Sequence, residues 1–163
     1  VEYKFCSQCG AKFEEKVIDH RRRLYCPACG FVQYQNPVPA AAVTIIQDGK
    51  ILLVKRAVEP RKGLWSLPAG FLEIDESVEE CAVRELKEET NLDVELSRLL
   101  AVYSVFDDPR YICLLVVYSG KILGGELKSG DDAADARFFP PSALPEIAWN
   151  VHRRAIALAF GEE

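Results

Sequence analysis

Residues 70–92, GFLEIDESVEECAVRELKEETNL, carry eight carboxylates against two basic residues, Arg84 and Lys87. Like charges three or four positions apart on a helix repel, so the crowding needs a reason. A solvated acidic face is one; a magnesium-binding face is the other. Ser77 with Glu80 makes a capping box, and Asn91 tolerates the left-handed conformation that ends helices, so the spacing predicts a helix over 78–90. At ~100° per residue, Glu85, Glu88 and Glu89 fall on one arc of roughly 100°, beside the apolar face of Val78, Ala82 and Leu86. Carboxylates gathered at the edge of a core are costly unless a cation neutralises them. Magnesium keeps several waters and takes hard oxygen ligands, so a few carboxylates plus substrate phosphate oxygens suffice. Glu79, Glu80 and Lys87 project elsewhere and read as a solvated face.

A second group with chemistry comes earlier. Cys6, Cys9, Cys26 and Cys29 form two C-x-x-C pairs sixteen residues apart, the spacing of a four-cysteine zinc site. Gly10 and Gly30 follow the pairs, where a tight knuckle needs a positive φ. Two disulfides or a redox pair are the competing readings. The doubled motif, with the short hairpin KFEEKVIDHRRRLY between its halves, favours zinc. About thirty residues cannot bury enough core alone, so the metal supplies the folding energy. Arg21, Arg22 and Arg23 lie on that hairpin and read as a solvated tip more than as a nucleic-acid patch. Cys81 and Cys113 lack a motif and read as small buried apolar residues.

The elements that must position these groups belong to a chain of 163 residues with 49% hydrophobic content, enough for one domain with a small appendage. There is no methionine, so position 1 is not read as the biological start. No apolar run reaches the ~20 residues of a membrane span, and a cytoplasmic protein is expected. Net charge is −5, with +2 in residues 1–34 and −7 beyond, which argues against a nucleic-acid-gripping protein. An acidic body can still handle phosphates if it holds divalent metal. YQNPVP marks a boundary near residues 34–36. AAAVTIIQ and KILLVKR read as strands around an Asp48-Gly49 hairpin turn, and EPRKGLWSLPAG as a loop. DVELSRLLAVYSVF, YICLLVVYSG and DARFFP follow as strands, and EIAWNVHRRAIALAF as an amphipathic helix with Ile147, Val151 and Ile156 inward. Strands on either side of one helix, plus a terminal helix, predict a sheet sandwiched by helices.

The acidic stretch resembles the Nudix box, G-x5-E-x7-R-E-U-x-E-E-x-G-U with U aliphatic, through Gly70, Glu76, Arg84, Glu85, Leu86, Glu88, Glu89 and Leu92. Asn91 departs from the pattern by standing where it has glycine. The resemblance implies an α/β fold: a Nudix α/β/α sandwich with a mixed sheet over residues 35–163, preceded by a zinc ribbon over 1–34. It also implies hydrolysis of a nucleoside diphosphate linked to another group. By position, Glu85, Glu88 and Glu89 would bind Mg²⁺ or Mn²⁺ and the Gly70 carbonyl would add a ligand. Arg84 would orient the glutamates, with Glu76 as an ion-pair partner. Asp132 and Asp135, in GDDAADARFF, are candidates for the general base or a further ligand.

A zinc ribbon before a Nudix domain is similar to the NADH pyrophosphatase group. That group carries an SQPWPFPxS array after the box, where this chain has LAVYSVFDDPRYICLLVVY. YQNP and GLWSLPAGF are closer to relatives acting on ADP-ribose or FAD, so an adenine dinucleotide or ADP-sugar yielding AMP is expected. A NADH or nucleotide-cap pyrophosphatase is the alternative. A nucleotide sensor or nucleic-acid-binding protein with a degenerate box is disfavoured by the intact RELKEE. Trp65, Tyr103, Phe106 and Tyr111 are candidate substrate-stacking aromatics. The implied partner is a small nucleotide rather than a membrane or nucleic acid, and a homodimer is a candidate state because many relatives are dimers.

Overall fold

The computed structural model describes residues 3–108, 110–130 and 132–161, in two compact units, Val1–Pro37 and Val38–Glu163. In the first, β1 (Glu14–Ile18), β2 (Arg21–Tyr25) and β3 (Val32–Gln33) form a three-stranded antiparallel sheet. Asp19 and His20 take positive φ at the β1–β2 turn, and Gly10 and Gly30 do so at φ 73° and 77° behind the cysteine pairs. Among the described residues the buried core there is Cys6, Phe13 and Cys26.

The second unit is built on a seven-stranded mixed sheet. Its main path runs β10 (Ala133–Phe139), β5 (Lys50–Arg56), β4 (Val38–Gln47), β9 (Cys113–Gly125) and β8 (Leu92–Val105). The β4–β9 pair is parallel and the others are antiparallel. The segment expected to be a plain loop contributes two short strands, β6 (Trp65–Ser66) on β5 and β7 (Ala69–Phe71) on β4. That difference matters, because β7 fixes Ala69 and Gly70 to the sheet.

Side chains alternate across a strand, and the two faces are covered by different helices. Ala40, Ala42, Ile51, Leu53, Leu115 and Val117 pack with Val151, Ala155 and Ile156 of helix α2 (Asn150–Ala159). Ala41, Val43, Ile45, Leu52 and Tyr118 pack with Cys81, Ala82 and Leu86 of helix α1 (Val78–Thr90). This is the helix–sheet–helix sandwich. Burying Leu86 alone contributes roughly 1.5–3 kcal/mol. Among the described residues no helix is long and apolar enough to cross a membrane.

Candidate active site

Helix α1 starts and ends where its caps require. Ser77 Oγ accepts from the Glu80 N–H at 3.2 Å while the Glu80 carboxylate accepts from the Ser77 N–H at 2.7 Å, so two donors of the first turn are satisfied. Asn91, standing where the box pattern has glycine, takes φ 59° as the left-handed C-cap. The helix therefore presents one flank to the β7 backbone.

Arg84 organises that flank. Its Nε and Nη2 grip both oxygens of Glu76 at 2.8 and 2.6 Å, a bidentate pair with geometric as well as electrostatic selectivity. Nη1 reaches Glu85 at 2.7 Å and Glu88 at 3.0 Å, and Nη2 also donates to the Phe71 carbonyl at 3.2 Å. The guanidinium pulls the Glu76 carboxyl down to about 2, with the Glu73 N–H adding to the effect. Glu89 is set apart. It is 8% exposed, and its Oε2 accepts from the Ala69 N–H at 3.0 Å. Burial pushes its carboxyl up to about 8 against that hydrogen bond, and the charges of Glu85 and Asp132 push the same way.

The three glutamates thus share a flank, but their oxygens are not drawn into one tight cluster. Among the described residues the four cysteines are the group whose ligand atoms all lie within 4.8 Å of one another. Glu85 and Glu88 are held by Arg84 and Glu89 by the backbone. Such a set suits hard divalent ions that keep waters and share substrate oxygens, rather than an all-protein cage. Burial, with the charges of Glu85 and Asp132 adding to it, raises the Glu89 carboxyl, and the hard carboxylate oxygens of this flank fit the metal the sequence implies.

Gly70 is required for a different reason from the other box positions. A Cβ there would overlap the Glu85 carboxylate. The obstacle is the end of a flexible side chain, so Gly70→Ala should keep the fold and displace Glu85. Its melting temperature is expected to stay within a few degrees of wild type while kcat falls by roughly 10²-fold; a thermal scan beside steady-state kinetics checks this.

Glu79, Glu80 and Lys87 are exposed, as expected of a solvated face, and two of them also find partners. Glu79 accepts from the Tyr118 hydroxyl at 2.7 Å, and Lys87 pairs with Asp93 at 2.8 Å while donating to the Asn91 carbonyl. Both partners come from outside the helix, where helical periodicity cannot see them. Asp132 is exposed, close enough to Glu89 to affect it, and its carbonyl accepts from the Ala57 N–H. Asp135 lies on β10 and is ion-paired with Arg137 at 2.6 Å.

Beside Ala69 and Gly70 lies a cavity of about 90 Å³, reached by Arg56, Phe71, Arg110, Trp149 and His152. None of the four aromatics expected to stack on substrate lines it. Trp65 packs edge-on against Phe139 at 4.7 Å, and Tyr103 carries Arg154 over its ring at 4.6 Å. Phe106 is 75% exposed, and Tyr111 touches two of the lining residues, Phe71 edge to face at 5.6 Å and Arg110 over its ring at 5.5 Å. The residues that do line it come from β4 to β9, the β8–β9 loop and the start of α2, so no local pattern announces them. His152 alone gave a signal, since it shares the inward arc of Val151, Ala155 and Ile156.

His152 accepts at Nδ1 from the Leu67 N–H at 3.1 Å and is 5% exposed. Burial, with Arg56 nearby, lowers its pKa from 6.5 to about 3. The folded state therefore binds this proton less readily than the unfolded chain. Its stabilising contribution is complete above pH 6.5 and is lost as pH falls toward 3. His152→Asn, whose Oδ1 can still accept from Leu67, should flatten the acid limb of stability over that range; urea midpoints from pH 7 to 4 check this.

In the first unit the Cys6 and Cys29 sulfurs lie 3.7 Å apart and those of Cys9 and Cys26 3.5 Å apart, as free thiols. Tetrahedral zinc with Zn–S near 2.3 Å would put its sulfurs about 3.8 Å apart. The donor set and spacing therefore suggest zinc.

Comparison with known proteins agrees with both units. Residues 36–159 match the NUDIX domain and residues 4–35 the Nudix N-terminal zinc ribbon. The chain is 42% identical over 148 residues to an ADP-ribose pyrophosphatase of Methanocaldococcus jannaschii, covering 90% of this chain and 84% of that protein. It is 34% identical over 147 residues to the NAD-capped RNA hydrolase NudC of Pseudomonas aeruginosa, covering 88% of this chain but only 50% of that one. The chain thus spans about half the length of the NudC relatives it matches. A NUDIX hydrolase structure from Nitrosomonas europaea superposes with a TM-score of 0.85 at 33% identity, over 96% of this chain and 91% of that one. A box held by Arg84, a helix–sheet–helix sandwich and a ribbon ahead of it converge with these matches on one conclusion: the chain belongs to the Nudix family of hydrolases.

Proposed function

We propose that this hydrolase cleaves the diphosphate of ADP-ribose, or of a related ADP-linked compound such as FAD, with Mg²⁺ or Mn²⁺, and releases AMP. The observation that carries the reading is the Arg84-held glutamate flank beside a cavity reached by two arginines. The 42% identity to an ADP-ribose pyrophosphatase supports the choice of substrate. Glu85, Glu88 and Glu89 would hold the divalent ion with the Gly70 carbonyl. When bound, that ion supplies the positive charge that polarises the diphosphate and makes water a nucleophile near neutral pH.

The chain's own groups do the rest. Arg84 holds Glu85 and Glu88 in register, and its grip on Glu76 fixes its own guanidinium. Arg56 and Arg110 attract the diphosphate. Water adds its oxygen to one phosphorus as the bridging P–O bond breaks, and the proton it loses passes to a carboxylate. Asp132 is the base we favour over Asp135, because it lies near enough to Glu89 to influence it while Asp135 is paired with Arg137. Zinc at Cys6, Cys9, Cys26 and Cys29 is structural. A reducing cytoplasm suits six cysteines with no disulfide among them, and a homodimer is the assembly we propose.

The test is product analysis on ADP-ribose, FAD, NADH and NAD with Mg²⁺ or Mn²⁺. AMP from ADP-ribose or FAD is the expected result. AMP from NADH alone would replace the reading with the NADH or nucleotide-cap alternative, which the NudC identity favours. Silence on all four from folded, metal-loaded protein would overturn both.

A further inference from the structure

Arg61 stands on a backbone that does not suit its residue type. Its φ is 64°, in the left-handed region where a Cβ crowds the following carbonyl and glycine is favoured. A bulky residue keeps such a conformation only where its surroundings over-determine it. The guanidinium shows what those surroundings are. Nη2 donates to the Asp107 carbonyl at 3.1 Å, and Nη1 meets the Asp107 carboxylate at 3.5 Å. The guanidinium carbon lies 4.3 Å from the centre of the Trp149 ring. Asp107 passes the contact on. Its Oδ2 also accepts from the Asn150 N–H at 3.4 Å, on the first residue of α2, whose N-cap Trp149 supplies no side-chain acceptor. One side chain thus joins the turn after β5, the β8–β9 loop and the start of α2.

Each of those segments brings residues to the cavity beside Gly70, although Arg61 itself does not line it: Arg56 at the foot of the turn, Arg110 in the loop, Trp149 and His152 on the helix. The two cavity arginines need holding. Burial lowers the Arg56 pKa and the charge of Arg110 adds to that, so the two cations repel. Arg56 Nε is fastened to the Pro60 carbonyl at 2.9 Å, one residue before Arg61. Arg110 is fastened to the Asp108 carboxylate at 3.1 Å, one residue after Asp107. The Arg61–Asp107 link spans the two anchors.

We infer that Arg61 is a positioning residue: through Asp107 it sets where Arg56 and Arg110 stand when they receive the diphosphate, an assignment that rests on the pyrophosphohydrolase reading for its ligand.

Arg61→Gly, Arg61→Lys and Asp107→Asn test it, by steady-state kinetics on ADP-ribose with Mg²⁺ and by calorimetry with inorganic pyrophosphate. Glycine suits the backbone of residue 61 and removes the link. Asp107→Asn keeps an oxygen for the Asn150 N–H and loses the charge that Arg61 grips. Both are expected to raise KM roughly tenfold with kcat within about twofold of wild type, because the glutamate flank is untouched. Arg61→Lys keeps the charge but not the planar fork, and should recover only part of the loss. The sign for Asp107→Asn separates positioning from a change of field. Removing a negative charge near an anionic substrate should by itself lower KM; breaking the link should raise it. A lower or unchanged KM in Asp107→Asn, a loss carried by kcat, or full recovery in Arg61→Lys overturns the assignment. If one of the two link variants does not fold, the other decides by the same criteria. If neither folds, Arg61→Lys decides, an unchanged KM overturning the link and a raised one supporting it. Pyrophosphate binding should weaken in step with KM and keeps the two readings apart. Weakening in both link variants of a protein that leaves ADP-ribose and FAD intact would sink the hydrolase reading and support the link. A wild type that neither turns over these substrates nor binds pyrophosphate overturns both.

Discussion

Glu89→Gln is expected to lower kcat on ADP-ribose by roughly 10²–10³-fold, the usual scale for removing one preorganised charge from an active site, while the protein stays folded. Glutamine has nearly the same shape, and its Oε1 can still accept from the Ala69 N–H that Glu89 meets at 3.0 Å. The variant therefore loses charge and keeps packing. Its stability should carry the opposite signature. Burial raises the Glu89 carboxyl from 4.5 to about 8, so the metal-free folded state holds a proton that the unfolded chain releases. That contribution to stability is full below pH 4.5 and is lost as pH rises through 8. Urea midpoints in chelator should fall over that range for wild type and stay flatter for Glu89→Gln. Wild-type kcat in the variant would remove Glu89 from the proposed metal site. An unchanged slope would mean that the carboxyl titrates normally in the folded chain.

The same residue shows how far a one-dimensional reading reaches. Helix α1 was legible because its signals are local: Ser77 and Glu80 close a box three positions apart, and Asn91 needs only its own backbone conformation. The grouping of Glu85, Glu88 and Glu89 followed from helical period alone. The period cannot tell which partner each carboxylate meets. Glu89 turns to Ala69, twenty residues upstream, and Glu79 to Tyr118, thirty-nine downstream. Both partners are set by sheet pairing. The loop reading of residues 59–70 failed for the same reason, since β6 and β7 exist only against β5 and β4. Apart from His152, the cavity was beyond reach. Arg56, Arg110 and His152 come from a strand end, a loop and the last helix, and the parallel β4–β9 register helps bring such distant segments together. The aromatics chosen from sequence lie outside the lining of this cavity, and Trp65 faces Phe139 because β6 pairs with the strand beside β10.

The cysteine unit should respond most to loss of its metal. Its buried core is Cys6, Phe13 and Cys26, with Ala11, Leu24 and Phe31 partly buried around it. Two of those three core residues are themselves sulfur donors. So small a core cannot offset the ordering of more than thirty residues at roughly 1–2 kcal/mol of backbone entropy each. Structural zinc contributes about 10–16 kcal/mol in comparable small motifs, so a zinc ion held by the four cysteines would be the main term holding this fold. Cys26→Ser, or a strong chelator, should therefore abolish amide protection across β1, β2 and β3. The strands from Val38 onward have their own two cores, one under each helix, and should keep their protection. Hydrogen exchange read segment by segment, beside a zinc assay giving about one ion per native chain, decides the matter. A first unit that stays protected with no zinc bound would show that the four sulfurs do not depend on a metal. Loss of protection in both units together would show that the second leans on the first, which its separate cores argue against.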